Sequence, residues 1–449
     1  MKQAFNPYLP SYEYIPDGEP YVFGDRVYIY GSHDRFNGRG FCLNDYVCWS
    51  APVDDLGNWR YEGVIYRKEQ DPINKKGKQY LYAPDVANGA DGRYYLFYAL
   101  NNSPVISVAV CEAPAGEYRF HGHVHFADGH VWGAKKGEVN NFDPGTLFDD
   151  DGRMYLYSGF APKGLFLALM KLRIRRRFDG AYCVELAKDM LTITSEPKLI
   201  IPGPGKAKGT GFEEHPFFEA SSMRKIAGRC YFIYSSVLSH ELCYAVSDKP
   251  DGGFVFGGTI VSNCDIGFKG NTEPLNYYGN THGSIVEING QWYVFYHRQT
   301  NRSQFSRQAC AERIEILPDG SIPQVEMTSC GLNNGPLAGT GEYEARIACN
   351  LADKKGARLF WYPGRKGGVH PYFTQSGEDR ENSGDQYIAN MRDGAWAGFK
   401  YFHFQDERNI TVTVRGDARG VLRVSTQREG RDATLIAVTP CQTWTELKA

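Results

Sequence analysis

Three carboxylic acids stand at matching points of an internal repeat. They are Asp17 in Tyr14-Ile15-Pro16-Asp17-Gly18-Glu19-Pro20, Asp143 in Asn141-Phe142-Asp143-Pro144-Gly145, and Glu219 in Pro216-Phe217-Phe218-Glu219-Ala220-Ser221. A further acid, Asp85, and an imidazole, His282, complete the series. Two carboxyl groups in opposite protonation states suffice to cleave a glycosidic bond. The neutral one protonates the leaving oxygen, and the ionised one activates water or attacks directly. Phe217 and Phe218 would desolvate Glu219, and a nearby Asp143 would raise its proton affinity by like charge, so Glu219 reads as the acid. Glu213 and Glu214 compete for that role but fall outside the phase of the repeat. Taken singly, an acid at a strand end is ordinary turn chemistry. Five polar residues at one point of five units imply instead a ring of units around a shared centre.

The elements that position them are announced by glycine. Gly24, Gly92, Gly152, Gly228 and Gly290 each stand in a turn followed at once by an aromatic-rich strand, as in Gly92-Arg93-Tyr94-Tyr95-Leu96-Phe97-Tyr98 and Gly290-Gln291-Trp292-Tyr293-Val294-Phe295-Tyr296. The polar residue of each unit lies a short strand's length upstream of its turn. Nearly every other periodic segment also has strand character, with Val, Ile, Tyr and Phe alternating with polar residues. Long repeats in an all-strand chain predict a propeller, in which radial repetition buries each sheet between its neighbours. Each unit exceeds the ~40–45 residues of a WD40 blade, so the excess should form loops around a pocket at one end of the axis.

Composition narrows the partners. The formal net charge is -2 with no long block of one sign, whereas nucleic acid and anionic membranes demand a concentrated basic footprint. The most basic stretch, Lys171-Leu172-Arg173-Ile174-Arg175-Arg176-Arg177, reads as the wet face of a strand. The N-terminus carries no apolar run of signal-peptide type, and no segment is long enough to cross a bilayer. Eleven cysteines without a CxxC pair then read as free thiols in a reducing compartment, and a cytoplasmic location is the expectation. Aromatics make up 14% of the chain; their faces suit sugar rings and strand cores alike. His121, His123 and His125 alternate along a strand and invite a metal reading, but lack a convergent carboxylate. Phe36, in the loop after the first repeated strand, reads as an apolar wall for a sugar or a hydrophobic plug.

Over roughly residues 5 to 325 the sequence resembles glycoside hydrolase family 43, a family of five-bladed propellers. Asn6-Pro7 and Asp17 correspond to the Asn-Pro start and the general base, with Asp17-Gly18-Glu19-Pro20 standing for the usual Asp-Pro-Ser; Glu19 is the alternative base. Asp143 matches the aspartate that tunes the acid and orients the sugar, and Glu219-Ala220-Ser221 stands where the family has Glu-Gly-Pro. Tyr82-Ala83-Pro84-Asp85 resembles the Trp-Ala-Pro-Asp segment, which implies that Tyr82 and Asp85 line the pocket. Thr281-His282-Gly283 resembles the Gly-His-Gly segment, which implies that His282 faces the channel near a hydrated calcium ion on the axis. Arg307 falls where the family's xylosidases bind sugar hydroxyls.

The repeat fades after Leu317-Pro318-Asp319-Gly320. The expected organisation is a five-bladed propeller over 1–330, a Gly- and Asn-rich linker over 331–342, and a smaller β-sandwich over 343–449. The last region resembles family 6 carbohydrate-binding modules through Gly384-Asp385-Gln386-Tyr387-Ile388-Ala389 and Gln442-Thr443-Trp444-Thr445; packing against the propeller is the other role for it. The resemblance implies an exo-acting, inverting glycosidase that releases xylose or arabinose from xylo- or arabino-oligosaccharides. An endo-arabinanase and a sugar-binding propeller without turnover are the rival readings.

Overall fold

A computed structural model describes residues 3–164, 175–358, 370–379, 385–407, 409–427 and 433–448. Of the basic stretch 171–177, residues 171–174 lie outside the described ones, as does Gly384. Arg177 forms an ion pair with Asp179 at 3.1 Å and lies over the Tyr182 ring.

Each repeated glycine turn closes a hairpin between the innermost strand of a blade and the next strand. In the fifth unit Ile288 pairs with Gln291 across Asn289-Gly290. Both turn residues have positive φ, 50° and 79°, the geometry that matches the twist of the flanking strands. Blade 1 comprises Glu19–Phe23, Arg26–Tyr30, Tyr46–Pro52 and Arg60–Tyr66, in that order. Blade 2 is Leu81–Asn88, Tyr94–Leu100, Ile106–Cys111 and Arg119–His123, and blade 4 is Phe217–Ile226, Arg229–Ser236, Glu241–Ser247 and Val255–Ser262. Blade 3 begins with Gly145–Phe148, Met154–Gly159 and Gly180–Leu186 and gathers extra short strands at its rim. Blade 5 has three strands, Ser284–Ile288, Gln291–Gln299 and Arg307–Ile314.

The ring closes through the N-terminal segment. The Asn6 side chain donates to the Ala311 carbonyl and accepts from the Ala311 amide, both at 2.9 Å, and Tyr8 N–H donates to Ala309 O. The outer edge of blade 5 is thereby covered, which removes an exposed strand edge. The five innermost strands contact one another in a cycle, the last against the first.

Five hydrophobic clusters fill the five gaps between neighbouring blades. Phe97, Trp132, Leu156 and Val184 pack between blades 2 and 3, and Tyr157, Phe217, Phe232 and Tyr234 between blades 3 and 4. Because both faces of each sheet are covered, the second strands are mostly buried, and that of blade 3, Met154–Gly159, is buried at every position. Strict alternation, expected from the sequence, is lost along most second strands, because a sheet buried on both faces needs no polar side, and is kept in the C-terminal strand Thr411–Gly416 over its first four residues.

The C-terminal region is a set of two-stranded pairings. The stretch expected to be a linker has Leu332 buried between blades 1 and 5, and Leu337–Ala338 runs parallel to Phe402–His403. Asn350–Ala352 pairs with Trp396–Gly398 and Tyr372–Thr374 with Tyr387–Ala389. A sixth cluster, Ala348, Leu351, Tyr372 and Phe373, is built around Tyr277 of the propeller. Arg298 of blade 5 donates to Ala348 O and Arg346 O and lies 3.9 Å from the centre of the Phe373 ring. Thr411–Gly416 pairs with Cys441–Lys448, and Gly420–Val424 with Thr434–Val438. All eleven cysteines are free. Among the described residues, no helix is long and apolar enough to cross a membrane.

Candidate active site

The polar series lands where the innermost strands begin. Asp17, Asp143 and His282 each sit just before such a strand, and Asp85 and Glu219 lie within one. Close approach at the axis explains the glycines beside them. A Cβ on Gly283 would lie 1.8 Å from the Phe295 carbonyl oxygen, and one on Gly145 2.5 Å from that of Ser221.

Asp17 and Asp143 have φ of 58° and 44°, a left-handed conformation that aspartate tolerates better than most residues. Ala220 also has positive φ, 71°, at a break in register between Glu219 and Ser222. Such a bulge re-aims a side chain and bends the strand. Here it turns the Ala220 N–H onto Asp143 Oδ2 at 3.1 Å. Ala220 occupies a conformation that glycine would take freely.

Arg307, fully buried, donates from Nη1 to Asp17 Oδ1 at 2.9 Å and from Nε and Nη2 to the two oxygens of Asp34. The Phe41 ring covers its guanidinium at 4.7 Å. Arg307, expected to bind sugar hydroxyls, directs these donors to the carboxylates of Asp17 and Asp34. His297 accepts the Asp17 N–H at Nδ1 and lies 2.9 Å from Asn280 O through Nε2. The neutral tautomer protonated at Nε2 satisfies both bonds. Burial, then Arg307, lowers the His297 pKa to about 3, in keeping with a neutral ring.

The two acids are driven apart. Burial opposes ionisation of Asp17, but Arg307, followed by the smaller contributions of His297 and His282, holds its carboxyl below the usual range. Burial and then the charge of Asp17 push Glu219 up to about 8, with Arg307 and Asn280 pulling the other way. Like charge therefore acts on Glu219 from Asp17 as well as from Asp143, the neighbour expected from the sequence, whose own carboxyl is raised by Glu219. Asp143 is itself raised by burial, Glu219 and Asp17.

Below these groups a charged network fills the axis. Arg224 donates to Glu19 Oε2 at 2.8 Å and to Tyr21 Oη at 3.2 Å, with its guanidinium over the Tyr21 ring. Asp85 is fully buried, one oxygen accepting from Tyr21 and the other from Thr146 N–H and Oγ1. Asp85, expected in the pocket lining, thus joins three blades beneath the site. Glu19, the alternative base, belongs to the same network. Its Oε1 has no hydrogen-bond partner and lies 3.9 Å from His282 Nε2, while His282 Nδ1 is 3.6 Å from Asp143 Oδ2. Burial is the largest influence on His282 and brings it down to about 4, so the ring is neutral and one nitrogen is free of a proton.

Around the acids runs an arc of half-buried aromatic rings: Tyr82, Phe142, Phe160 and Phe218, with successive centroids 5.3–5.4 Å apart. From the sequence, Tyr82 is expected in the pocket and Phe218 beside Glu219; Phe160 carries no such expectation. Phe36 is 8% exposed and packs on Tyr14. Glu213 binds the backbone of its own loop at Thr210. His121 and His123 take separate partners, Asp189 O and Asp71. Among the described residues, the group of potential metal ligands within 4.8 Å of one another is His215, Glu241 and Cys243, off the axis on blade 4. It is closed on itself by the 2.6 Å His215–Glu241 ion pair.

A ring of five blades with an ionised and a protonated carboxyl at one end is the arrangement of a glycosidase. The profile of "Glycosyl hydrolases family 43" matches residues 13–322. The chain belongs to this family, whose members are inverting glycoside hydrolases. It is 54% identical to a xylosidase/arabinosidase of Thermoclostridium stercorarium across 100% of this chain and 93% of that relative. It is 32% identical to a xylosidase/arabinosidase of Bacteroides ovatus over 65% of this chain and 87% of the other. Among solved structures, it resembles a β-xylosidase/α-arabinofuranosidase of the same family from a compost metagenome, bound to xylotriose in a calcium-free form. That match has a TM-score of 0.55 and 25% identity over 72% of this chain and 98% of the other. An arabinoxylan arabinofuranohydrolase of Bacillus subtilis shares the fold across 100% of this chain and 92% of its own, at TM-score 0.53 and 20% identity.

Proposed function

We propose that this chain is an exo-acting glycosidase that releases xylose and arabinose from the ends of xylo- and arabino-oligosaccharides. Asp17 activates water, Glu219 protonates the leaving oxygen, and Asp143 orients Glu219 and the sugar. The observation that carries this reading is the opposite bias of Asp17 and Glu219 within one buried ring. An inverting displacement needs those two states together at neutral pH. The tyrosine and phenylalanine arc offers apolar faces to a pentose ring, which suits the relatives' names. The test is hydrolysis of nitrophenyl β-xyloside and nitrophenyl α-L-arabinofuranoside, with the first-formed anomer of the sugar followed by NMR. Free pentose of inverted configuration is expected from both. Internal oligomers from linear arabinan, without pentose, would instead make the enzyme endo-acting.

The donors on the axis suit a calcium ion. Glu19 Oε1 is an unpaired buried oxygen facing an imidazole nitrogen that can be free of its proton, and calcium takes six to eight ligands, mostly oxygen, so water would complete the shell. His282 and Glu19 would hold the ion. When bound, it would add positive charge that favours ionised carboxylates around it. Chelation is expected to lower activity and added calcium to restore it, with the restoration blunted in His282→Ala. Full activity after chelation, with no heat of calcium binding by calorimetry, would leave His282 a structural residue.

A further inference from the structure

The loop between the second and third strands of blade 1 holds Arg307 in place, with only a few bonds of its own, among them Cys42 N–H to Asp34 Oδ1 and Asn44 Nδ2 to Asp34 O. It runs Arg35-Phe36-Asn37-Gly38-Arg39-Gly40-Phe41, with Asn37 at φ 56° and no strand or helix. Asp34 at its start and Phe41 near its end grip the Arg307 guanidinium from two sides. A glycine-rich loop of this kind loses much conformational freedom when it is fixed. Something must fix it.

Ser306, just before the last strand of blade 5, accepts the Asn37 N–H and donates to Arg35 O; further fixing groups come from the far end of the chain. Asp379 Oδ1 accepts the Phe36 N–H at 2.7 Å, and Oδ2 accepts from Asn44 Nδ2 at 3.2 Å. Gln375 Oε1 accepts from Tyr14 Oη at 2.6 Å, and the Tyr14 ring packs on Phe36. Gln386 reaches Ser11 O and the same tyrosine. Asn301 N–H donates to Phe373 O, and the Asn301 side chain donates to Asn37 Oδ1. The buried Phe373 and Tyr372 anchor this segment on blade 5.

We propose that the C-terminal segment from Tyr372 to Asp379 is a latch that holds the 34–44 loop against Arg307, so that Asp379 is a positioning residue for Asp17. The C-terminal region is then part of the active site's support, whether or not it binds sugar. The latch goes beyond the proposed hydrolysis and rests on it only for the choice of assay substrate.

Three variants and two readouts test it. Asp379→Ala leaves the Phe36 N–H without its acceptor, while Asp379→Asn keeps an amide oxygen there. Lys400→Ala breaks different contacts between the C-terminal region and the propeller, the 2.7 Å pair with Glu326 and the 3.4 Å pair with Asp265, neither of which involves the loop. In Asp379→Ala, kcat on nitrophenyl xyloside is expected to fall roughly ten- to a hundredfold through misplacement of reacting groups, with KM changed less. Asp379→Asn should recover most of that loss, and Lys400→Ala should match the parent. Hydrogen exchange read by mass spectrometry should show faster exchange over 34–44 in Asp379→Ala and not in Lys400→Ala. Unchanged exchange in that loop overturns the latch even if the enzyme proves to act on another sugar. Unchanged kcat, or an equal fall in Lys400→Ala, overturns the positioning role. If Asp379→Ala is insoluble, Gln375→Ala carries the same pair of measurements, and a parent-like result in both sinks the proposal.

Discussion

Replacing Asp17 by alanine is expected to cut kcat by roughly 10³–10⁴-fold, the upper part of the range that a positioned general base contributes. The loss should be similar for natural xylobiose and for activated nitrophenyl glycosides, because the step removed is the preparation of water, whatever the leaving group. No neighbour can replace it. Asp34 is turned toward Arg307 through both oxygens, and Asp85 and Glu19 are bound into the axial network with Tyr21, Thr146 and Arg224. Azide needs no deprotonation before it attacks, so it should restore turnover in Asp17→Ala and yield a glycosyl azide of inverted configuration. Activity within tenfold of the parent, or a product of retained configuration, would remove Asp17 from the role of base.

The propeller was legible in the sequence because its repeat is written in residues that the backbone demands. Asn289-Gly290 and Ala227-Gly228 both take positive φ, so the hairpin turns stand out against strands of varied composition. The placement of Asp17, Asp143 and Glu219 at one end follows from the same phase. What surrounds them was harder to see. His297 follows directly on the aromatic run that ends at Tyr296, and nothing in its own strand separates a histidine facing Asp17 from one packed in a core. Arg224 carries no motif; it is drawn inward because the inner strands bring Glu19 and Asp85 to one axis, a charge balance visible only once the ring has closed.

The electrostatics of the acid illustrate the same limit. The sequence put Asp143 beside Glu219 and assigned it the like charge. In the closed ring Asp143 is turned onto the Ala220 amide and His282, and the repulsion it exchanges with Glu219 is joined by that of Asp17, which the sequence did not place there. Contacts between the ends of the chain leave even less trace. Asp379 meets Phe36 and Asn44 across more than three hundred residues, and no periodicity couples such positions. Local patterns specify strands and turns, while the support of a catalytic group is a property of the assembled fold.

Glu219→Ala is expected to separate substrates by their leaving groups. Xylobiose needs a proton on the departing sugar oxygen, and its kcat should fall roughly 10²–10⁴-fold. A dinitrophenolate leaves without a proton, so its glycoside should lose far less. The pH profile gives a second, independent reading. In the parent, kcat/KM should fall on the alkaline side as Glu219 loses its proton near its raised value of about 8. It should fall on the acid side only below the usual carboxylate range, where Asp17, held low by Arg307, finally takes up a proton. Because these groups interact, the two limbs report the set of carboxyls together. In Glu219→Ala the alkaline limb should vanish for the dinitrophenyl glycoside, since no protonated acid is then required, while the acid limb persists. Without Glu219, Asp17 also has one neighbouring carboxyl fewer, so that acid limb should not move to higher pH. Equal losses on both substrates, or an alkaline limb that survives the substitution, would take the acid's role from Glu219 and return it to Glu213 or Glu214.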